Sequence, residues 1–142
     1  MGEIDILVNN AAVSFGENFE ELDERLFELT VDVNMKAPVY LLRHFVRQFK
    51  ARNSGHIVTI SSITSKSAGP KNTYYAASKA FIESIHYILR YELKLAGSRV
   101  DTTTILPQAI NTGMFKGFSF MLPMLDMQMV ASRIHQAIIN RE

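Results

Sequence analysis

Tyr75 and Lys79, four residues apart in Tyr75-Ala76-Ala77-Ser78-Lys79, could together with Ser62 move a proton. A four-residue step on a helix stacks two side chains on one face about one turn apart, so the Lys79 ammonium is expected beside the Tyr75 phenol. A neighbouring cation favours phenolate and lowers a pKa that is ordinarily about 10. Tyrosine then serves as a general acid or base near neutral pH, and a serine hydroxyl beside it can hold the oxygen that gains or loses the proton. Tyr74 lies five residues from Lys79, about 140° past it around a helix. Tyr75 is therefore the expected proton carrier.

These side chains need elements to present them. Ile4-Asp5-Ile6-Leu7-Val8 reads as a buried strand that stops at Asn9-Asn10-Ala11-Ala12, after which residues 9 to 18 have loop composition. Six acidic residues between Glu17 and Glu28 form a charged entry to helix, most simply a solvated face. Val39, Leu42, Phe45, Val46 and Phe49 recur at helical spacing, predicting one amphipathic helix from about Val33 to Arg52. Asn53-Ser54-Gly55 breaks it before a strand, His56 to Ser61, that delivers Ser62. Asn72 or Thr73 can cap the helix of Tyr75, which runs to about Ala96 and ends at Gly97. A third strand spans Arg99 to Leu106 and is closed by Pro107, and a last helix runs from about Met127 to Ile139. Strands alternating with helices predict an α/β fold with a parallel sheet and right-handed crossovers.

Composition narrows the field. At 142 residues and 47% hydrophobic content the chain suits one domain, 1–142. Its net charge of +1 gives no field to attract nucleic acid or an anionic membrane. With no cysteine, disulfides, zinc-thiolate sites and a cysteine nucleophile are excluded. No apolar run reaches the length of a membrane span, and no export signal stands at the start. The four histidines show no ligand spacing, so no metal is expected, and Arg43, Arg47 and Lys50 read as a solvated helix face.

The order of Asn9-Asn10-Ala11-Ala12, Asn34, Ser62, Tyr75 to Lys79, and Pro107 to Thr112 resembles the short-chain dehydrogenase/reductase family over essentially the whole chain. The matching family motifs are Asn-Asn-Ala-Gly, a helix asparagine, a strand-end serine, Tyr-x-x-x-Lys and Pro-Gly-x-x-x-Thr. Glu92-Leu93-Lys94, Thr112 to Gly117 and Leu122 to Leu125 look most like its retinol and 17β-hydroxysteroid dehydrogenase branch. The resemblance implies a Rossmann-like, doubly wound parallel sheet that uses NAD or NADP. None of the seven glycines forms the pyrophosphate turn such folds carry after their first strand, so the chain is expected to be the catalytic half of a larger domain.

By the same resemblance Tyr75 is the acid/base, Lys79 holds the nicotinamide ribose, Ser62 orients the substrate oxygen, and Asn34 kinks a helix and holds a relay water. Asn10, Ala11 and Ala12 would line the adenosine side, and Pro107, Ile110 and Thr112 the nicotinamide side. Ala12 and Gln108 stand where the family has glycine. Met114, Phe115, Phe118, Phe120, Met121, Leu122, Met124 and Leu125 are either core or an adaptable apolar surface. The expected activity is interconversion of an alcohol and a carbonyl on an apolar substrate such as a retinoid or steroid, with a homodimer formed through the two long helices. The alternative is a noncatalytic chain that pairs with an intact subunit. The expected location of the chain as given is cytoplasmic; a complete homologue could be anchored at the endoplasmic reticulum or lipid droplets.

Overall fold

The computed structural model describes residues 3–115 and 123–142. Three parallel strands, β1 (Ile6–Asn9), β2 (His56–Ile60) and β3 (Asp101–Ile105), lie side by side in that order. Ile6 pairs with His56, which pairs with Asp101, so Leu7, Asn9, Ile57 and Thr59 share one face of the sheet while Ile6, Val8, His56, Val58 and Thr103 share the other. The connections are helical: α1 (Glu24–Thr30), a π turn (Val31–Lys36) and α2 (Ala37–Arg52) join β1 to β2, and α3 (Thr73–Leu95) joins β2 to β3. Helix α4 (Met127–Asn140) follows β3.

The first face carries the core. Leu7 and Ile57 meet Leu42 and Phe49 of α2 and Ile82 and Leu93 of α3, the apolar stripes that the spacing predicts. The second face meets the end of α4, where the Thr103 hydroxyl donates to the Glu142 carbonyl and Arg141 pairs with Asp101 at 2.7 Å. Helices thus lie on both faces, as a doubly wound sheet requires. At the outer strand β1, Ile6 and Val8 remain 45% exposed on the second face.

The helix expected from Val33 instead starts at Glu24, where the Asp23 carboxylate caps it by accepting from the Arg25 amide at 2.7 Å. The stretch to Arg52 is continuous but widened at its middle. Pro38 has no N–H to give the Asn34 carbonyl and its ring crowds the preceding turn, and the backbone answers with a π turn in which the Ala37 amide reaches back to Asp32. Arg43, Arg47 and Lys50 are exposed.

Asn53, in the left-handed region at φ 50°, ends α2, and its side chain accepts from the Arg99 amide at 2.8 Å. Gly55 follows at φ +145°, where an added Cβ would lie 2.4 Å from the buried Phe49 ring. The first strand begins at Ile6, later than expected; just ahead of it Arg52 grips the Ile4 carbonyl and pairs with Asp5 at 3.2 Å. Among the described residues no helix is long and apolar enough to cross a membrane, and no cluster of metal-ligating side chains occurs. His44 and His135 are exposed, while His56 and His86 are buried.

Candidate active site

The site is assembled where the three strands end. Ser62, just past β2, opens a 3₁₀ turn (Ile63–Ser65), its Oγ accepting from the Thr64 amide at 3.2 Å and the Thr64 hydroxyl at 2.9 Å. Tyr75 and Lys79 lie on the buried face of α3, 6% and 4% exposed. Ser62 Oγ donates to the Pro107 carbonyl at 3.5 Å and stands near enough to the Tyr75 phenol to act on its titration. Tyr74 turns the other way, its ring 4.8 Å from Phe27 and 5.8 Å from Phe19. Helical spacing therefore separates the two tyrosines as expected.

The electrostatics differ from the expectation in sign. Burial pushes the Tyr75 phenol above its ordinary value, and the nearby Ser62 hydroxyl pulls it partly back. The Lys79 ammonium does not depress it, because Nζ donates to the Ile60 carbonyl at 2.8 Å and stands 5.6 Å from the centre of the Tyr75 ring. Burial also lowers Lys79 to about 8, so it still carries charge at neutral pH.

Nine of the ten residues expected at the site line one cavity of about 450 Å³: Asn10, Ala11, Ala12, Ser62, Tyr75, Lys79, Pro107, Ile110 and Thr112. That volume suits a small-molecule site, and its place beyond the carboxyl ends of parallel strands is where such sheets bind ligands. Asn34 does not line it. Its amide is used structurally, with Oδ1 accepting from the Val13 amide at 2.8 Å and Nδ2 donating to the Val13 carbonyl at 2.8 Å and Ser78 Oγ at 3.0 Å. The carbonyl of Asn34 is the group that Pro38 deprives of its usual helical donor.

Neither departure from the glycine pattern strains the chain. Among the described residues only Asn53, Lys71 and Arg141 combine positive φ with a side chain, so Ala12 and Gln108 sit in ordinary backbone conformations. Ala12 adds a methyl to the cavity wall, and the Gln108 amide reaches the Pro123 carbonyl at 3.4 Å.

Of the apolar residues named after Thr112, three have a described place at or beside the site, and Ser78 joins it without having been singled out from the sequence. Phe115 meets the Tyr75 ring edge-on at 5.7 Å, and Met114 lines the cavity beside it. Ser78 bridges Asn34 to α3 and donates to the Tyr75 carbonyl at 2.7 Å. Its position, three residues after Tyr75, was the available signal. Leu125 returns to pair with Ile110, its amide donating to the Ala109 carbonyl at 2.8 Å. Phe118, Phe120, Met121 and Leu122 lie outside the described residues.

Comparison with known proteins agrees with this geometry. The sequence model of the short chain dehydrogenase family matches residues 1–121. The whole chain aligns with epidermal retinol dehydrogenase 2 of Mus musculus at 34% identity and covers 48% of it. Over 82% of the chain, identity to retinol dehydrogenase 10 of Homo sapiens is 37%, covering 35% of that protein. Among solved structures, serine dehydrogenase from Escherichia coli superposes with a TM-score of 0.80 at 29% identity, covering 94% of this chain and 56% of that one. A short-chain dehydrogenase from Sphingobium yanoikuyae in complex with NADPH has the same fold, with a TM-score of 0.88 at 23% identity over 98% of this chain and 55% of that one. The chain spans about half the length of the first relatives it matches. With Asn10-Ala11-Ala12 and the Ser, Tyr-x-x-x-Lys and Pro-x-x-x-x-Thr positions gathered at one cavity, the chain belongs to the short chain dehydrogenase family.

Proposed function

We propose that this chain is the catalytic part of an NAD(P)-dependent oxidoreductase that interconverts an alcohol and a carbonyl. The observation that carries the reading is the convergence of Ser62, Tyr75 and Lys79 on one cavity. The cavity fits the ribose and nicotinamide end of such a cofactor. Lys79 has three N–H donors and gives one to the Ile60 carbonyl, so others can meet a ribose diol. Asn10, Ala11 and Ala12 would flank the adenosine side, with Pro107, Ile110 and Thr112 along the nicotinamide. When bound, the nicotinamide supplies or accepts the hydride.

The chain's own residues handle the proton. Ser62 Oγ, held at the end of β2, orients the substrate oxygen. Tyr75 Oη takes the alcohol proton in oxidation and returns one in reduction. With a cofactor bound, Lys79 would hold the ribose through its remaining N–H donors, and its charge would be the one available to favour phenolate as the proton leaves Tyr75. The Asn34 carbonyl can hold a water that links the ribose side to solvent.

An apolar substrate such as a retinoid or steroid is supported by Met114 and Phe115 at the cavity wall and by the names of two relatives, which are retinol dehydrogenases. A second copy is the proposed partner. Between α2 and α3 runs a groove of about 420 Å³, walled by Val39, Leu42, Val46, Ile85, Ile88 and Leu89 and rimmed by Arg43, Arg47 and Glu92.

Substitution of the two neighbouring tyrosines tests the reading. With an apolar secondary alcohol and NAD or NADP, Tyr75→Phe should lower kcat by at least about 10²-fold while nucleotide binding, followed by fluorescence, is kept. Tyr74→Phe should stay near parent activity. An inactive Tyr74→Phe beside an active Tyr75→Phe would overturn the assignment.

A further inference from the structure

Ser62 lies in a loop, and loops hold functional groups less rigidly than helices do. Inside its turn the Ser65 amide donates to the Ser62 carbonyl at 3.0 Å. Ser65 Oγ lies 2.7 Å from that same carbonyl and 2.5 Å from Glu83 Oε2, sharing one proton between two acceptors. The other carboxylate oxygen of Glu83 pairs with Lys66 Nζ at 2.8 Å. Glu83 therefore grips two consecutive residues of the segment that presents Ser62.

Glu83 belongs to α3, one turn beyond Lys79 and two beyond Tyr75. Its side chain is only 17% exposed, unlike the solvated glutamate that a helix surface usually carries. Burial pushes its carboxyl up, but the hydrogen bonds from Lys66 and Ser65 outweigh this and hold it below the ordinary value. One rigid helix thus carries the proton carrier at one end of a short span and the anchor of its serine partner at the other.

We propose that Glu83 is a positioning residue, holding Ser62 in reach of Tyr75 through Ser65 and Lys66. The inference rests on the roles given above to Ser62 and Tyr75, but its test needs no turnover. The Tyr75 phenol is titrated by ¹³Cζ NMR in the full chain, and amide exchange is followed in the turn. In Glu83→Ala, Tyr75 should titrate at higher pH than in the parent, because the Ser62 hydroxyl no longer steadies the phenolate. Exchange at Ser65 and Lys66 should quicken by at least about tenfold.

The sign separates positioning from simple charge. Deleting a nearby carboxylate acts alone to move a phenol downward, so a fall in the Tyr75 midpoint, or no movement, overturns the proposal. Ser65→Ala keeps the carboxylate and breaks the link. It should also raise the midpoint, by less, and it serves if Glu83→Ala does not fold. An unmoved Tyr75 in a folded Ser65→Ala likewise overturns it. Because titration is read without substrate, absence of dehydrogenase activity would count against the proposed function and leave this result standing.

Discussion

Acidification should weaken the fold through one buried ring, His86. This side chain is 1% exposed, its Nδ1 lies 2.7 Å from Thr59 Oγ1, and among the described residues its Nε2 has no partner. Burial is the main cause that lowers it to about 4, with Arg90 and His56 acting in the same direction and Glu83 against. An unfolded histidine titrates at about 6.5. Between those values the unfolded chain binds a proton that the folded chain refuses, so stability falls as pH falls through that window. A difference of about 2.5 units corresponds to about 3 kcal/mol, a sizeable part of the 5–15 kcal/mol typical of a domain.

The assay is urea unfolding followed by circular dichroism at steps from pH 7.5 to 4. His56, also lowered by burial, adds to the loss in the parent, so the His86 share is read by difference. The double variant Thr59→Val/His86→Leu replaces both hydrogen-bonding groups with apolar ones and avoids an orphaned hydroxyl. It should lose about 3 kcal/mol less than the parent over the same interval. Equal losses in parent and variant would refute the reasoning, since the acid sensitivity would then arise elsewhere.

Other substitutions address the frame and its surfaces. Gly55→Ala must place a methyl into the Phe49 ring at positive φ and should lower stability by at least about 2 kcal/mol in a thermal melt. Asn34→Ala removes three hydrogen bonds between the π turn, Val13 and Ser78 and should cost about 2–4 kcal/mol by urea titration; a change under 0.5 kcal/mol would show that the turn holds itself. Ile85→Asp in the groove between α2 and α3 should shift sedimentation from dimer to monomer without loss of helix content. A species already monomeric before the change would remove that partner.

The three strands and the helix of Tyr75 were legible because apolar periodicity survives in one dimension, and most cavity residues because their order resembles a family pattern. The facing of Tyr75 rather than Tyr74 followed from helix geometry alone. The π turn was not legible, because one proline inside an amphipathic pattern does not announce how the backbone will relieve it. Nor could spacing reveal that the Lys79 ammonium would prefer the Ile60 carbonyl, a contact that exists only once β2 and α3 are packed. Glu83 looked like any charged residue on a helix, since its two partners lie about eighteen residues back along the chain.

The π turn also makes the length of this helix an informative quantity. A π turn holds one residue more than the α-turn it replaces, so deleting one of the exposed residues Asp32 or Lys36 would let regular α-helix run through. The residues before the deletion would then keep their direction relative to α2, because the longer π turn and the α-turn each complete about one turn of helix. Phe27 would stay against the ring of Tyr74. The turn is thus the one stretch of this helix with a residue to spare: a single-residue deletion inside it should be tolerated better than one within α2, which leaves the turn in place and rotates what precedes it by about 100°.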